Sequence, residues 1–504
     1  MRNTIGLTKN YVLIDLILIF LSFYVVLDWF PLTTDSPFNK YSWPSLWYII
    51  AWVITSFLFN RYKPLKTQKY FSAVLRLLDT SLIVLILFKV ILYFYNTTYS
   101  EYVLLSITIG VFVLNYIYLS VYYAYKSAVE YNEFTIAPEE RINAQVRPEI
   151  KMDEASFSEL CETIHHHSGK RVLTFLQSKL DLRSENTKVF STIDAENLKM
   201  TANYHYSAIV QLNRLNDLRG INRTLTVINQ KLPDDGLFVC CYESKSTYKQ
   251  RVLNKYFRGL NYIVYSFDFM IRRIMPRLFF TRRLYYLIKG SKNRIFSKAE
   301  VMGRLYCFGF KVVWEKKINN LTYVMAQRVK QPEPVHQRTY GPLIRLRRYG
   351  KNAKPFDVFK MRTMHPYSEY LQAHVFAKHK LQEGGKFHKD FRVTTMGRFM
   401  RKYWLDELPM IINVLQGDMK LVGVRPLSAH YFSLYSKDLQ ELRVKFKPGL
   451  LPPFYADMPK TLPQIQASEM KYLNACAEKG AWRTDINYFF LILRNIFFKK
   501  ARSA

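Results

Sequence analysis

Hydrophobic residues are concentrated in the first quarter of the chain, in four long segments separated by short polar loops. The segments cover residues 11–30, 46–60, 71–95 and 102–125. A helix needs about 20 apolar residues to cross the hydrocarbon core of a bilayer. Three segments are long enough, whereas the second reaches a spanning length only if its aromatic flanks are included. The pattern predicts a membrane protein with an α-helical N-terminal bundle of four transmembrane helices in residues 1–126.

Positive charge in the loops predicts the orientation of these helices. Four cations lie in residues 61–69, between the second and third segments, whereas the other two short loops contain one lysine, Lys40. Cytoplasmic loops carry the excess of Lys and Arg, so both ends of the helical region are expected to face the cytoplasm. The rest of the chain is then expected to be cytoplasmic and attached to the membrane by a multi-pass anchor.

The middle of the chain alternates short apolar runs with helical stretches. Residues 127–170 are polar and predict a linker with a short helix. Runs at 171–175, 188–193, 207–212 and 236–241 are typical of parallel strands, and a helix at 298–309 precedes a strand pair at 310–315 and 321–327. This order predicts an α/β Rossmann-like domain over residues 171–330, and it resembles the second half of a class I methyltransferase fold. Because no glycine-rich turn follows the first strand, we expect a degenerate domain with a structural or regulatory role.

An insertion within this domain, residues 251–298, is strongly basic. It contains twelve Lys or Arg and one acidic residue, Asp268, interleaved with aromatic side chains. Apolar residues recur at helical spacing between positions 260 and 274, so the segment predicts an amphipathic helix at a membrane interface. The alternative is a basic helix that packs on its own domain.

The charge balance indicates an anionic partner. The net charge is +34, from 73 Lys and Arg against 39 Asp and Glu. Nucleic acid, an anionic membrane face and phosphorylated substrates all fit this charge. The basic residues accompany aromatics and apolar segments and no nucleic-acid-binding module is found, so no nucleic acid is expected. The five cysteines lack a C-x-x-C pattern, which predicts free thiols.

The candidate chemistry lies in residues 392–426. Two adjacent carboxylates, Asp406 and Glu407, stand between a basic segment and a turn. An acidic pair among cations suits chemistry on a phosphate anhydride, because the cations hold the substrate while a carboxylate attacks phosphorus or holds a metal ion. For the pair alone, a helix cap is the competing interpretation. The basic segment and the turn comprise Arg392, Arg398, Arg401, Lys402, Gly423, Arg425 and Pro426.

Ordered motifs in this region carry a family resemblance. Leu-Asp-Glu-Leu-Pro at 405–409, Asn-Val-Leu-x-Gly-Asp-Met at 413–419 and Val-Gly-x-Arg-Pro at 422–426 resemble the core of the bacterial sugar transferases. Residues 349–364 resemble the opening of the same domain, and Lys-Pro-Gly at 447–449 its Arg-Pro-Gly turn. These transferases are monotopic polyprenyl-phosphate phosphoglycosyl transferases, here in a large form with four N-terminal membrane helices. The resemblance implies a small, mostly α catalytic domain over residues 335–504.

The resemblance also implies an activity and roles for residues. A phospho-sugar would pass from a nucleotide diphosphate sugar, here a UDP-sugar, to undecaprenyl phosphate at the bacterial inner membrane, which starts a cell-surface polysaccharide such as an exopolysaccharide. Asp406 would be the covalent nucleophile, Glu407 would handle metal or protons, and both would hold Mg2+. Arg425 is expected to clamp phosphate on the turn that Pro426 fixes. Weaker candidates for substrate binding are Lys360, Arg362, Arg398 and Arg401.

Other partners and alternatives follow from the same residues. The expected partners include membrane lipids, and a homo-oligomer is one possible oligomeric state that the sequence leaves undecided. Related enzymes open the catalytic domain with a re-entrant hydrophobic helix, but the residues before Tyr340 are polar. A catalytically silent membrane scaffold is therefore the first alternative, and a membrane methyltransferase working through residues 171–330 is the second. Residues 485–500 predict an amphipathic helix at the membrane surface, with a core helix as its competitor.

Overall fold

The chain forms two compact units, Met1–Glu130 and Tyr131–Ala504. The computed structural model describes residues 2–29, 37–94, 101–130, 148, 150–278, 281–290, 292–333, 341–372, 374–375, 390–459 and 461–498. Residues 334–340, immediately before the proposed catalytic domain, lie outside this set.

The first unit is helical. Its helices are α1 (Arg2–Trp29), α2 (Pro37–Leu58), α3 (Tyr70–Phe94) and α4 (Glu101–Val129). Helices α1 and α3 each contact both α2 and α4. Within the described residues, two stretches are long and apolar enough to cross a membrane, Tyr11–Asp28 and Tyr102–Val129, and Ser45–Leu58 is a shorter apolar helix. The predicted helices are confirmed, whereas the crossing of a membrane by all four stays a prediction.

A buried ion pair lies inside this unit. Arg61, which is 1% exposed, donates to both carboxylate oxygens of Asp15 at 2.6 and 2.9 Å. The Asp15 carboxylate also accepts hydrogen bonds from Trp52 at 3.0 Å and Tyr62 at 2.6 Å. A buried charge is tolerated only when it is paired and hydrogen-bonded, and both conditions hold here. The carboxylate that interrupts the first apolar segment therefore fixes α1 against the residues that follow α2.

The second unit begins with a mixed sheet. Its strands are β1 (Thr187–Phe190), β2 (Ala208–Arg214), β3 (Leu237–Tyr242), β4 (Phe310–Ile318) and β5 (Leu321–Arg328). They lie in the order β1-β2-β3-β5-β4, with β1 to β3 parallel and β5 antiparallel to both β3 and β4. These strands confirm the predicted runs from 188 onward. The expected parallel sheet is thus correct for three strands and is closed by an antiparallel pair.

Helices cover both faces of the sheet. They are α5 (Glu154–Ser168), α6 (Lys170–Lys179), α7 (Ala195–Lys199), α8 (Ile221–Lys231) and α12 (Lys298–Cys307). The predicted strand at 171–175 is wrong, because Val172, Phe175 and Leu176 face the sheet from α6 at helical spacing. Ile164 of α5 is also fully buried against the sheet, so part of the predicted linker belongs to this domain.

The basic insertion forms short helices on the sheet domain. They are α9 (Lys245–Lys255), α10 (Leu260–Phe269) with a π-helical continuation (Met270–Ile274), and α11 (Arg282–Lys289). Tyr265 and Phe269 pack against Tyr248, which confirms the alternative that the insertion packs on its own domain. Ile263 and Phe267 point outward and are 68% and 70% exposed. The insertion therefore keeps an apolar outer face, and its contact with a membrane stays a prediction.

The C-terminal part of the second unit is mostly α, as expected. It opens with a hairpin of β6 (Leu343–Tyr349) and β7 (Pro355–Met361), and a short parallel pair joins β8 (Lys420–Val422) to β9 (Gly449–Leu451). Its helices are α13 (Thr395–Lys402), α14 (Ile411–Leu415), α15 (Ala429–Ser433), α16 (Lys437–Lys445), α17 (Phe454–Asp457), α18 (Leu462–Lys479) and α19 (Ala481–Phe498). Tyr488 and Ile492 of α19 are buried, whereas Trp482 and Phe490 are exposed, so α19 is a core helix with an apolar outer face.

The sheet domain and the C-terminal part share a core. Tyr367 and Tyr370 join the hydrophobic cluster of the sheet domain, and Leu371 packs against Met302 of α12. A side chain at Gly303 would collide with the backbone carbonyl of Tyr367, so this helix requires glycine for the close approach. The two parts therefore pack as one folded body.

Candidate active site

The two adjacent carboxylates lie in the turn after α13. The turn leads into a 3-10 turn (Leu408–Met410) with Pro409 in its first positions, and then into α14. This is the predicted location at a helix start. Asp406 and Glu407 are 8% and 7% exposed. The backbone amide of Met361 donates to the Asp406 carbonyl at 2.8 Å, so the turn is held against the end of β7.

Two cations hold Glu407. Its Oε1 accepts a hydrogen bond from Lys360 Nζ at 2.7 Å and another from Arg425 Nη2 at 2.9 Å. Burial alone would raise the pKa of Glu407, but the charges of Arg425 and Lys360 outweigh it, and the pKa lies below its ordinary value. Burial also lowers the pKa of Lys360, with the Arg425 charge acting in the same direction. Glu407 is therefore an ionised anchor for two phosphate-binding candidates.

Asp406 is held differently. Its Oδ1 is buried and has no hydrogen-bond partner within the described residues. Burial, followed by the charge of Glu407, raises the pKa of Asp406, while Lys360 and Arg401 oppose this shift. Leaving a buried polar atom without a partner costs about 1–3 kcal/mol. This oxygen is thus an unsatisfied acceptor among the described residues, and a cation or an electrophile that reached it would supply the missing partner.

Helix α13 is clamped to the end of β7 through Thr363. Arg401 donates from Nε and Nη2 to Thr363 Oγ1 at 3.0 and 2.8 Å, and the Thr394 amide donates to the Thr363 carbonyl at 2.9 Å. A side chain at Gly397 would collide with that same carbonyl. Sequence reasoning missed both Thr363 and Gly397, although the small residue inside a Thr-Thr-Met-Gly-Arg helix start is a usable signal. The clamp places Arg401 close enough to act on Asp406.

The turn that carries Arg425 is held by two glycines and a buried ion pair. A Cβ atom on Gly423 would lie 2.8 Å from the amide nitrogen of Gly449, so β8 and β9 approach too closely for side chains there. Arg443 donates to the Arg425 carbonyl and pairs with the buried Glu469. Two motifs that are separate in sequence therefore meet at one place. The same turn buries Pro426.

Asn413 is a further positioning residue that sequence reasoning missed. It is fully buried, donates from Nδ2 to the Asp357 carbonyl at 2.7 Å, and accepts from the Phe359 amide at 3.1 Å. These bonds join α14 to β7, which carries Lys360. An asparagine within the apolar run Ile-Ile-Asn-Val-Leu was the available signal, because a buried amide requires partners.

The other candidates lie apart from the carboxylates or bond elsewhere. Arg398 is exposed, and its charge contributes to lowering the pKa of Lys245, where burial acts first. Arg362 donates from Nε to the Gly341 carbonyl at 3.1 Å. Arg392 pairs with Asp390 at 2.7 Å. Substrate contacts of Arg362 and Arg398 stay predictions.

The residues fit a magnesium ion that is completed by substrate. In the part of the chain that the structure describes, no group of three or more His, Cys, Asp or Glu side chains could hold a metal ion. Mg2+ is commonly bound through one or two carboxylates together with substrate phosphates. Asp406 Oδ1 is a hard oxygen ligand without a hydrogen-bond partner there, and Glu407 follows directly in the chain. The donor set is therefore compatible with Mg2+.

Exposed apolar residues stand on both sides of the carboxylates in the sequence, on α13, α14 and the turn between them. Phe399 of α13 is 52% exposed and Leu415 of α14 is 82% exposed. Exposed apolar side chains that form a row usually mark a site for a lipid, a ligand or another protein. The row consists of Met396, Phe399, Tyr403, Leu405, Leu408, Ile411 and Leu415.

The same residues are matched by known proteins. The sequence model of the bacterial sugar transferase family covers residues 331–498. A galactosyl transferase of Streptococcus agalactiae is 37% identical over 120 residues, which is 23% of this chain and 26% of that protein. An undecaprenyl-phosphate galactose phosphotransferase of Salmonella typhimurium is 38% identical over 108 residues, or 20% of this chain and 22% of that protein. A UDP-glucose:undecaprenyl-phosphate glucose-1-phosphate transferase of Caulobacter vibrioides is 34% identical over 132 residues, or 26% and 43%.

The family model covers the carboxylate pair and its clamps, and each relative is matched over only part of its length. The chain spans about a quarter of the length of the streptococcal relative and about half of a sugar transferase of Bacillus subtilis. The family resemblance drawn from the motifs at 405–426 is confirmed for the C-terminal third of the chain. Residues 331–498 form a bacterial sugar transferase domain.

Proposed function

We propose that this protein transfers a phospho-sugar from a nucleotide diphosphate sugar to undecaprenyl phosphate at the cytoplasmic face of the bacterial inner membrane. The observation that carries the proposal is the buried Asp406 oxygen with no hydrogen-bond partner in the described structure, beside a carboxylate that two cations hold. The relatives whose names specify a donor use UDP-glucose, which favours a UDP-sugar. Starting a cell-surface polysaccharide is the biological role that follows.

The reaction is proposed to occur in two displacements. Asp406 Oδ1 attacks the sugar-bearing phosphorus, the bond from that phosphorus to the bridging oxygen breaks, and the nucleoside monophosphate leaves with the electron pair. The resulting acyl phosphate carries the sugar on Asp406. An oxygen of undecaprenyl phosphate then attacks the same phosphorus, which releases the Asp406 carboxylate and forms a lipid-linked diphosphate sugar. Neither step requires an oxidant or a further reactant.

The surrounding residues account for how a carboxylate can attack an anionic phosphate. Lys360 and Arg425 approach from different elements and converge on Glu407, so they present fixed positive charge beside Asp406 without reorganising. Arg401 adds a third cation that Thr363 holds in place. A bound Mg2+ on Asp406 and Glu407 would neutralise charge on the phosphate oxygens. The raised pKa of Asp406 keeps the group basic for a carboxylate, which favours nucleophilic attack.

The outer surface supports a lipid acceptor. The exposed apolar residues of α13 and α14 stand on both sides of the carboxylates in the chain, and we propose that a polyprenyl chain contacts them while its phosphate reaches the carboxylates. We further propose that all four N-terminal helices span the membrane and that this chain is a multi-pass protein. The apolar stretches in α1 and α4 support this anchor.

We also propose that the mixed sheet is a degenerate nucleotide-fold domain. Its last strand, β5, runs antiparallel between β3 and β4, which supports the methyltransferase-like strand order. The turn after β1 contains no glycine, because residues 191–194 are Ser-Thr-Ile-Asp. A backbone cradle for S-adenosylmethionine requires glycines there, so a methyltransferase activity is disfavoured.

Trapping of the intermediate tests the proposal. Purified full-length protein is incubated with UDP-glucose labelled in the sugar-bearing phosphate, without undecaprenyl phosphate, and protein-bound label is measured after denaturation. We expect label on the wild type and on Asp418→Asn, because Asp418 is an exposed carboxylate twelve positions along the same segment. We expect no label on Asp406→Asn. The same assay is repeated with a panel of other UDP-sugars to test for a different donor. Absence of label with every donor would favour the catalytically silent scaffold.

A further inference from the structure

A second cavity lies in the sheet domain, outside the residues that match the sugar transferase family. It has a volume of about 340 Å³ and is bounded by the start of α8, the basic insertion and α12. Glu300 is the only carboxylate among its described lining residues. The guanidinium groups in its wall belong to Arg219, Arg223, Arg272, Arg277, Arg282, Arg294 and Arg304.

The inner wall holds more positive charge than its carboxylate can balance. Glu300, which is 1% exposed, accepts from Arg273 at 2.7 Å, from Arg304 at 3.2 Å and from Arg277. Three guanidinium groups therefore share one carboxylate. Burial and the charge of Arg277 lower the pKa of Arg273 to about 9, which reflects the same excess. An anion in the cavity would offset this charge.

The mouth of the cavity adds cations that are not neutralised. Arg219 and Arg282 are exposed, and neither forms an ion pair with a carboxylate in the portion of the chain described. The Arg219 guanidinium lies over the Tyr286 ring, 5.3 Å from its centre. By contrast, Arg272 at the rim pairs with Asp268 at 2.6 Å. Arg219 and Arg282 are thus the cations best placed to meet an incoming anion.

Two further features suit phosphate groups. Gly220 and Ile221 line the cavity at the start of α8, an 11-residue helix that has no side-chain cap, so its first amides are available as donors. The Nε of Arg294 is buried and has no hydrogen-bond partner within the described residues, although the same side chain lies in the cavity wall. Phe296 and Tyr286 provide aromatic surface beside these donors.

We propose that this cavity is a second binding site, for a small molecule that carries two or three phosphate groups. Guanidinium groups bind phosphate through paired hydrogen bonds, and the number of arginines here exceeds what one phosphate requires. The aromatic wall suits a ligand with a planar or apolar part, as in a nucleotide. The phosphates have two possible sources, a soluble nucleotide or a lipid headgroup. The site is separate from the proposed transfer reaction, and its occupancy can be measured without turnover.

Calorimetric titration of the detergent-solubilised full-length protein tests the site. The probes are inorganic tripolyphosphate, ATP and a short-chain prenyl diphosphate. We expect Arg219→Ala/Arg282→Ala to weaken binding of at least one probe about tenfold, which corresponds to about 1.4 kcal/mol. The matched control is Arg258→Ala/Arg283→Ala, which removes the same number of positive charges from the basic insertion but outside the cavity wall, and it should stay within about twofold of wild type. Binding of the prenyl diphosphate alone identifies a lipid as the source of the phosphates, and binding of ATP alone identifies a soluble nucleotide.

Three results would overturn the proposal. These are binding of none of the probes, equal weakening in the two double variants, and loss of binding in Arg425→Ala, which would locate the probe at the transferase site instead. If the double variant does not fold, Arg219→Ala alone decides. That single variant should weaken binding about threefold, because one of two mouth cations is removed.

Discussion

Replacing Glu407 by glutamine keeps the shape of the side chain but removes the charge that Lys360 and Arg425 share. Hydrogen bonds to a charged group contribute about 1.5–3 kcal/mol and neutral ones about 0.5–1.5 kcal/mol; the donors Lys360 and Arg425 stay charged after the substitution, so each bond loses part of the difference, about 1 kcal/mol. The Arg425 side chain is 38% exposed, so solvent screening reduces the free energy that its hydrogen bond to Glu407 contributes. The total is about 2 kcal/mol, which corresponds to a roughly 30-fold lower transfer rate if the cations must be fixed in the transition state.

The same substitution has a pH signature. Glu407 opposes the burial that lowers the pKa of Lys360, so its neutralisation lowers that pKa further. A reaction that needs the Lys360 ammonium falls as pH rises through this pKa, and the alkaline limb of the rate profile should move to lower pH in Glu407→Gln. The measurement is release of UMP from a UDP-sugar with saturating undecaprenyl phosphate, from about pH 6 to about pH 11, a range that includes the ordinary pKa of lysine and the values below it.

A matched control is Glu441→Gln, which neutralises an exposed carboxylate on α16 and should leave both rate and profile unchanged. If Glu407→Gln keeps a rate within about threefold of wild type and the same alkaline limb, Glu407 does not hold the cations for catalysis. The reasoning from its two hydrogen bonds would then be refuted.

Three further outcomes are expected. Gly397→Ala should destabilise the fold by about 1–3 kcal/mol in denaturant unfolding, because the new methyl group meets the Thr363 carbonyl. The control Gly341→Ala has open space around it and should change the unfolding free energy by less than about 0.5 kcal/mol. Phe399→Ser should raise the KM for undecaprenyl phosphate about tenfold and leave the KM for the UDP-sugar unchanged, and Leu287→Ser, at an exposed residue of the insertion, should alter neither. Burial and the charge of Arg273 lower the pKa of His365 to about 3, so folding stability should fall as pH drops from about 6.5 towards that value. His365→Gln should flatten this fall in unfolding free energy measured across the same range, and an equally steep fall would contradict the assignment.

The strands of the sheet were predictable because their signal is local. Short apolar runs at 188–193, 207–212 and 236–241 each became a strand, and the second and third of these strands are mostly buried. The run at 171–175 failed for a physical reason, since Val172, Phe175 and Leu176 also fit one face of a helix, and packing against the sheet decided in favour of α6. Pro409 likewise located the carboxylate pair at a helix start.

The contacts that organise the site were less predictable because they are not local. Lys360 and Arg425 reach Glu407 from positions 47 and 18 residues away, and only folding brings them together. Arg398 belonged to the same basic segment as Arg401, yet Arg401 bonds to Thr363 while Arg398 is exposed. Sequence spacing alone does not say which of two arginines on one helix turns inward.

The shared core around Tyr367 has a practical consequence for dissecting the protein. A fragment cut at residue 331, where the family match begins, would leave Tyr367, Tyr370 and Leu371 without the partners they have on the sheet side. Such a fragment would expose these apolar side chains and is expected to aggregate in isolation. Domain exchange between relatives should accordingly move the whole sheet domain together with the transferase portion, with the crossover placed upstream of α5, because a cut just before Lys298 would separate β5 from β3.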